Sequence, residues 1–347
     1  MAQQRGSNPN SSEPTEGGSN HNRVDRNAEA GATGARVLNL ENPTYVPRWA
    51  SGRECWVFRA ERPDQLCGYH PQLVASALAP DESPLYLLYS PICEGEGGPF
   101  RVGGAPGSHA LAITPRRLLI SRDPHLPDEP RSVTEIDLDA VSSIEIGCAL
   151  SLGWFVVRLS GAPGPRSCPV LFSAHGIPHF RGIVRTYRGL GGEARVASQT
   201  LLNWQMVWDG VPAYLRTELE PLTDQGERPL AVLRSPERWT TEKRLWRSRP
   251  VCASAAGLLV VTPRGLLWAA SEPRMRPEGL SFGVNVTVVR PDRVKNAAIG
   301  TRGTIGVLRL QAGDGPHPRE LEVAFDGEDV DSAEEIVQLT SAWRGSV

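Results

Sequence analysis

Residues 234–250, RSPERWTTEKRLWRSRP, carry six cations: Arg234, Arg238, Lys243, Arg244, Arg247 and Arg249. Trp239 and Trp246 are interleaved with them, and only Glu237 and Glu242 oppose the charge. Guanidinium forks match the oxygens of phosphates and carboxylates, and tryptophan favours the boundary between water and an apolar phase. Recognition of an anionic surface or partner would draw on Arg238, Trp239, Lys243, Arg244, Trp246, Arg247 and Arg249. The same composition also suits a solvated face or a contact within the protein, with the rings packed under arginine stems.

Other stretches offer less. Ser151 in ALSLG imitates a nucleophile elbow, but that motif needs a strand before the serine and a helix after it. Here an apolar strand pattern, Trp154 to Leu159, follows. His175 and His179 have the spacing of one helical face, yet Gly176 and Pro178 stand between them and no third ligand is near. The glycine-rich EGEGGPFRVGGAPG at 94–107 lies between strands and carries Glu94 and Glu96, which repel phosphate, so it reads as a loop. Asp137 and Asp139 fall at period two on a solvated strand face, without a cleft partner for acid–base work. The reading is non-enzymatic, with no catalytic residue, cofactor or metal; an enzyme with an undisclosed site ranks last.

Composition narrows the setting. A formal net charge of -2 supplies no global attraction for nucleic acid or an anionic membrane, so any basic site is local. The six cysteines (Cys55, Cys67, Cys93, Cys148, Cys168 and Cys252) form no Cys-x-x-Cys pair, which favours free thiols in a reducing compartment. No stretch approaches the ~18 uninterrupted apolar residues of a membrane span, and no charged start precedes an apolar core. The expected location is cytoplasmic, with peripheral membrane attachment under the anionic-surface reading.

The elements that would position these residues follow from an internal repeat. HPQLVASALAPDESPLYLLYSP (70–91) and VPAYLRTELEPLTDQGERPLAVLRSP (211–236) share one order: proline, a helical turn, leucine, proline, an acid, an apolar strand, Ser-Pro. LAITPRRLLISR (111–122) then matches VVTPRGLLWAA (260–270), VTEIDLDAVSSIEIG (133–147) matches VTVVRPDRVKNAAIG (286–300), and GWFVVRLSG matches IGVLRLQAG. Pro115-Arg116 and Pro263-Arg264 are predicted tight turns between strands, because proline presets φ and cannot donate to a ladder. Each copy closes with a helix. In the first its face is Phe180, Ile183, Val184 and Tyr187; in the second it is Ile336, Leu339, Thr340 and Trp343, with Ser332 and Glu335 as a capping box.

This pattern resembles the pleckstrin-homology-like superfamily, in particular its bacterial PH-like and GRAM-type branch, in tandem. The resemblance rests on Leu78, Pro80 and Glu82 in the leader, Thr114, Arg117 and Leu118 in the hairpin, the strand ending at Gly147, and a closing helix bearing Trp343. The second copy has Leu222 and Gly226-Glu227 in the leader, and Gly265 where the first has Arg117. The resemblance implies a mainly β (α+β) protein of two PH-like domains, each a strongly bent antiparallel sheet or barrel of seven strands capped by a C-terminal helix. It implies binding rather than catalysis. In lipid-binding relatives the connection between the first two strands carries a basic residue, a spacer, then basic-x-basic, and Arg238 with Arg247-x-Arg249 is similar.

The expected organisation is a disordered tail (1–36), a lead-in (37–69), PH-like domain 1 (70–192), a linker helix (193–210) and PH-like domain 2 (211–347). The tail is too poor in apolar groups to offset the entropy of ordering. In the linker, Val196, Leu201, Trp204, Val207 and Trp208 suit a helix with both tryptophans buried between domains. The leading reading is a non-enzymatic adaptor for a protein or peptide partner, and the alternative is a peripheral binder of anionic lipid headgroups through 234–250.

Overall fold

A computed structural model describes residues 35–40, 56–92, 107–124, 129–161, 166–194, 202–244, 247–271, 283–314 and 318–344. The expected tail lies outside these residues except at its end, where Ala35 and Arg36 begin a strand. The glycine-rich stretch beyond Ile92, Cys55, Cys93, Val196, Leu201 and Trp246 also fall outside them.

The fold is mainly β, in antiparallel sheets, and among the described residues no sheet closes into a barrel. Six strands form the first sheet, in the order β1 (Ala35–Leu40), β6 (Arg131–Asp137), β5 (Arg117–Pro124), β4 (Gly107–Ile113), β3 (Tyr86–Ser90) and β2 (Phe58–Ala60). Seven form the second: β10 (Ala231–Ser235), β13 (Gly257–Thr262), β14 (Gly265–Ser271), β15 (Gly283–Val289), β7 (Val141–Ala149), β8 (Leu152–Leu159) and β9 (Arg166–Ser173). The third holds β16 (Val294–Arg302), β17 (Ile305–Ala312) and β18 (Arg319–Phe325), and β11 (Arg238–Arg244) pairs only with β12 (Arg247–Ser254). The helices are α1 (His70–Ala77), α2 (Ile177–Leu190), α3 (Trp204–Trp208), α4 (Ala213–Leu219) and α5 (Val330–Arg344).

Each repeat therefore runs through seven strands and a closing helix, β3 to β9 with α2, and β10 with β13 to β18 and α5. In neither repeat do the seven strands make one sheet. The first four and the last three separate, and the second sheet joins β7–β9 of the first repeat to β10 and β13–β15 of the second through the β7–β15 pair, Ala149 opposite Gly283 to Ile144 opposite Val288.

Both predicted turns form. Thr114 Oγ1 accepts from the Arg116 and Arg117 amides, at 3.3 and 3.1 Å, and Thr262 Oγ1 accepts from the Arg264 amide at 3.2 Å. A Thr-x-x turn of this kind satisfies backbone donors that the ladder cannot reach. The strands beside them are apolar without alternation because both faces are covered. In β13 all six residues are buried.

One side of the first sheet (Leu88, Leu111, Ile113, Leu118, Ile120) packs on Phe180, Ile183, Val184 and Tyr187 of α2, all fully buried. Its other side (Leu87, Ala110, Ala112, Leu119) packs on Leu73, Val74 and Ala77 of α1. The core around α2 continues into the second repeat through Leu258, Val260, Leu267, Val286 and Val288, while Leu259, Val261 and Leu266 face the α5 core. In that core Ile336, Leu339, Thr340 and Trp343 are buried, and each large apolar side chain contributes about 1.5–3 kcal/mol by leaving water.

Three local expectations are corrected. The strand pattern through Ile136 and Leu138 is broken by a 3-10 turn, Leu138–Ala140, which still points Leu138 inward. The closing helix of the second repeat starts at Val330, following a 3-10 turn at Gly327–Asp329, so Ser332 lies inside the helix and is not its cap. The helix expected over 193–210 is, among the described residues, the short α3, whose amide at Gln205 is capped by Asn203. Trp204 and Trp208 stack on each other with centroids 4.9 Å apart, half-buried rather than enclosed.

Candidate functional site

The cationic stretch is a β-ribbon rather than an open loop. It occupies the connection between the first and second strands of the second repeat, where Ser235 of β10 faces Gly257 of β13. The ladder pairs Trp239 with Cys252, Glu242 with Arg249, Lys243 with Ser248 and Arg244 with Arg247. The register places Arg244, Arg247 and Arg249 towards one end of the ribbon, with Glu242 opposite Arg249 in the ladder.

The base of the ribbon is tied down. Arg238 forms an ion pair with Asp326, at the end of β18, and Arg234 donates to the carbonyl of Asp209 at 2.5 Å. Ser235 Oγ lies 3.1 Å from Ser254 Oγ. Trp239 is half-buried. Of the seven residues singled out from sequence, Arg238 is therefore engaged within the fold, and Lys243, Arg244, Arg247 and Arg249 are placed by register.

The remaining candidates disperse. Ser151 sits in the Leu150–Ser151 turn between β7 and β8, with Leu150 at φ 54°, and no helix follows it. His175 lies in a 3-10 turn and accepts or donates at 3.3 Å to Ser173, while His179 lies on α2, its pKa lowered by burial. No group of three His, Cys, Asp or Glu side chains among the described residues is placed to hold a metal. Asp139 is not free on a strand face: its carboxylate and carbonyl accept from Arg293 of the second repeat at 2.6 and 2.5 Å. Among the described residues, Cys67, Cys148, Cys168 and Cys252 form no disulfide.

The resemblance residues of the first repeat converge instead on a half-buried ion-pair node. Glu82 accepts from Thr114 Oγ1 at 2.6 Å, from the Ala79 amide at 3.2 Å and from Arg117, whose Nη1 reaches Glu135 at 2.8 Å and Nη2 the Ala77 carbonyl at 2.8 Å. The hydrogen bonds from Arg117 hold the Glu82 carboxyl down at about pKa 2 against the opposing effect of burial.

The second repeat builds the same node with a borrowed cation. Glu227 accepts from the Asp224 amide at 2.9 Å, as Glu82 does from Ala79. Gly265 stands at the Arg117 position with φ +121°, where a Cβ would collide with the Val289 carbonyl, so no arginine fits. The guanidinium comes from Arg188 on α2 of the first repeat. It donates to Glu227 at 2.5 and 3.2 Å, to Thr262 Oγ1 at 3.0 Å and to the Leu222 carbonyl. Burial lowers the Arg188 pKa, and Glu227 opposes that shift. Sequence reasoning missed Arg188; the signal was an acid and a threonine conserved between the copies beside a glycine that had lost its cation.

A cleft of about 400 Å³ beside α3 is lined by Trp204, Trp208, Asn203, Glu220, Asp224 and Arg228. Its carboxylates are already engaged, Asp224 by Arg264 and Glu220 by Arg216 at 3.1 Å. No helix among the described residues is long and apolar enough to cross a membrane. Comparison of the sequence with protein-family models finds no match, and comparison with curated proteins finds none.

Proposed function

We propose that the chain is a non-enzymatic binding protein, an adaptor of two PH-like repeats that presents surfaces to a protein or peptide partner, with the β11–β12 ribbon as its contact for an anionic group. The PH-like reading is supported by the order of elements, seven strands and a closing helix in each repeat. The observation that carries the binding site is the isolation of the ribbon. Among the described residues it pairs with no other strand, yet its register sets Lys243, Arg244, Arg247 and Arg249 close together at one end, at the connection that carries basic residues in lipid-binding members of the superfamily it resembles.

A second reading, attachment to an anionic membrane, is favoured by the sequence, in which Leu245 and Trp246 stand between these cations. Each arginine near such a surface contributes on the order of 1 kcal/mol, weakened by salt. Co-sedimentation of the full chain with neutral and anionic vesicles separates the readings, with Arg244, Arg247 and Arg249 changed to glutamine in a control. Salt-sensitive pelleting on anionic vesicles alone, lost in the control, favours the membrane. No pelleting, together with cross-linking to an acidic peptide that the control loses, favours the adaptor. If neither vesicles nor acidic peptides engage the ribbon, the site is rejected.

A further inference from the structure

β7 and β16 hold the same place in the two repeats. Both follow a 3-10 turn, both run for nine residues, and both carry a register irregularity after their first residue, between Val141 and Ser143 and between Val294 and Asn296. Ile146-Gly147 of one corresponds to Ile299-Gly300 of the other. Their strand partners differ on one side only, and α5 packs against the face of β16 at Val294 and Ala297. β7 lies between β8 and β15, whereas β16 pairs with β17 and, among the described residues, with nothing on its other edge.

The consequence is visible residue by residue. Ile146 is 2% exposed and Ile299 is 40% exposed. Ser143 and Glu145 are buried, while their counterparts Asn296 and Ala298 are exposed. At Gly147 a Cβ would collide with the Trp154 ring and with the Val284 carbonyl of the strand beside it; at Gly300 the nearest atom to a Cβ would be Arg309 Nη1 at 3.8 Å. The second repeat thus keeps an edge without proline and a glycine suited to close backbone approach, with no strand approaching it.

We propose that the open edge of β16 is a strand-accepting site for a short extended segment of a partner protein, seated antiparallel over residues 297–302 in the register that β15 takes on β7. An unpaired edge offers a row of backbone donors and acceptors, and alternate side chains set which segments fit. The template fixes the chemistry of the occupant. Val288, Val286 and Val284 face Ile144, Ile146 and Cys148, so the partner places apolar residues opposite Ala297, Ile299 and Thr301. Asn285 faces Gly147, so an uncharged residue lies opposite Gly300. The first-repeat counterpart of β15, β6, cannot supply the segment from a second copy, because its outer edge is already paired with β1 from Ala35 opposite Ile136 to Leu40 opposite Arg131; pairing of β16 with the β16 of a second copy is an outcome of the test. This deepens the adaptor reading but does not depend on the ribbon.

The test uses the full chain and a labelled, end-capped peptide with the sequence of residues 283–289, GVNVTVV. A control peptide carries the changes Val284→Asp, Val286→Asp and Val288→Asp. The expected result is a saturable rise in fluorescence anisotropy absent with the control, slowed hydrogen exchange of amides 297–302, and at least tenfold weaker binding to the variant Ile299→Asp. Thermal melting of that variant stays near wild type, since Ile299 is exposed. No saturable binding, equal binding by the variant, or protection confined elsewhere overturns the site. So does concentration-dependent dimerisation in sedimentation velocity that Ile299→Asp abolishes, because the occupant is then a second copy. A negative peptide result with a positive ribbon assay rejects the edge alone; failure of both rejects the adaptor reading.

Discussion

Arg188 of the first repeat grips both carboxylate oxygens of Glu227 in the second, at 2.5 and 3.2 Å, with side chains only 1% and 3% exposed. A buried ion pair contributes little net stability, but removing one partner strands a charge in the interior and costs about 3–5 kcal/mol. Arg188→Met is therefore expected to destabilise by that amount in urea unfolding. The double variant Arg188→Met, Glu227→Met should recover at least half of it. A double variant no better than the single one would show that the pair is not the source of the loss.

The glycines that make room for this arrangement give a second test. Gly265→Ala places a side chain at positive φ against the Val289 carbonyl, and Gly147→Ala places one into Trp154 and the Val284 carbonyl. Each should cost more than about 2 kcal/mol, from strain and forced displacement. Gly300→Ala, with open space around it, should shift stability by less than about 1 kcal/mol. Equal losses at Gly147 and Gly300 would contradict the difference between the two strand edges.

Acid sensitivity has two sources at the first sheet, His70 and His109, the second held by burial at about pKa 4. His70 is fully buried, with its ring nitrogens 2.7 Å from Ser121 Oγ and 2.9 Å from Ser108 Oγ. Burial first, and then the neighbouring His109, pull its pKa down to about 3. The unfolded chain binds this proton near pH 6.5, so the contribution is complete above that pH and is lost as pH falls towards 3, by up to about 1.4 kcal/mol per unit. The Glu82 carboxyl, held at about 2, begins to lose its contribution only below about pH 4.5. Thermal melts between pH 6.5 and 5 should show a falling limb that His70→Asn makes shallower and that His70→Asn together with His109→Asn flattens; an unchanged slope in the single variant would exclude His70.

Much of this was legible in the sequence. The strand order, the Thr-Pro-Arg turns and the faces of both closing helices follow from apolar period and proline, because those features act locally. What was not legible was which edges meet. Nothing local to VSSIEIG or NVTVV says that they pair, and the helix IPHFRGIVRTYRGL reads as a cap for its own repeat while Arg188 serves the other. At the ribbon, composition announced cations but not strands, since polar residues such as Thr240, Thr241 and Ser248 carry no periodic apolar signal.

Shared edges imply shared folding. Separated fragments 1–194 and 202–347 would expose the β7–β15 pairing, leave Glu227 without Arg188 and open the core that joins Tyr187 to Val286 and Val288. Each fragment alone is expected to lack dispersed amide signals in NMR, and co-expression should restore a native-like spectrum. A well-folded second fragment in isolation would refute the dependence.

The ribbon should behave in the opposite way. Among the described residues its strands pair only with each other, and its described ties to the body sit at its base, through Arg238 with Asp326 and Ser235 with Ser254. Replacing residues 239–252 with Asn-Gly keeps those anchors and removes Lys243, Arg244, Arg247 and Arg249 together. Exposed ion pairs contribute about 0–1 kcal/mol, so even a weakened Arg238–Asp326 pair limits the expected loss of stability to about 1 kcal/mol. For a chain of this size that is a shift of a few degrees at most in melting temperature. The shortened protein should melt near the parent while losing all binding of anionic vesicles or acidic peptides. A much larger drop in melting temperature would show that the ribbon is part of the packed fold, and its cations would then be structural.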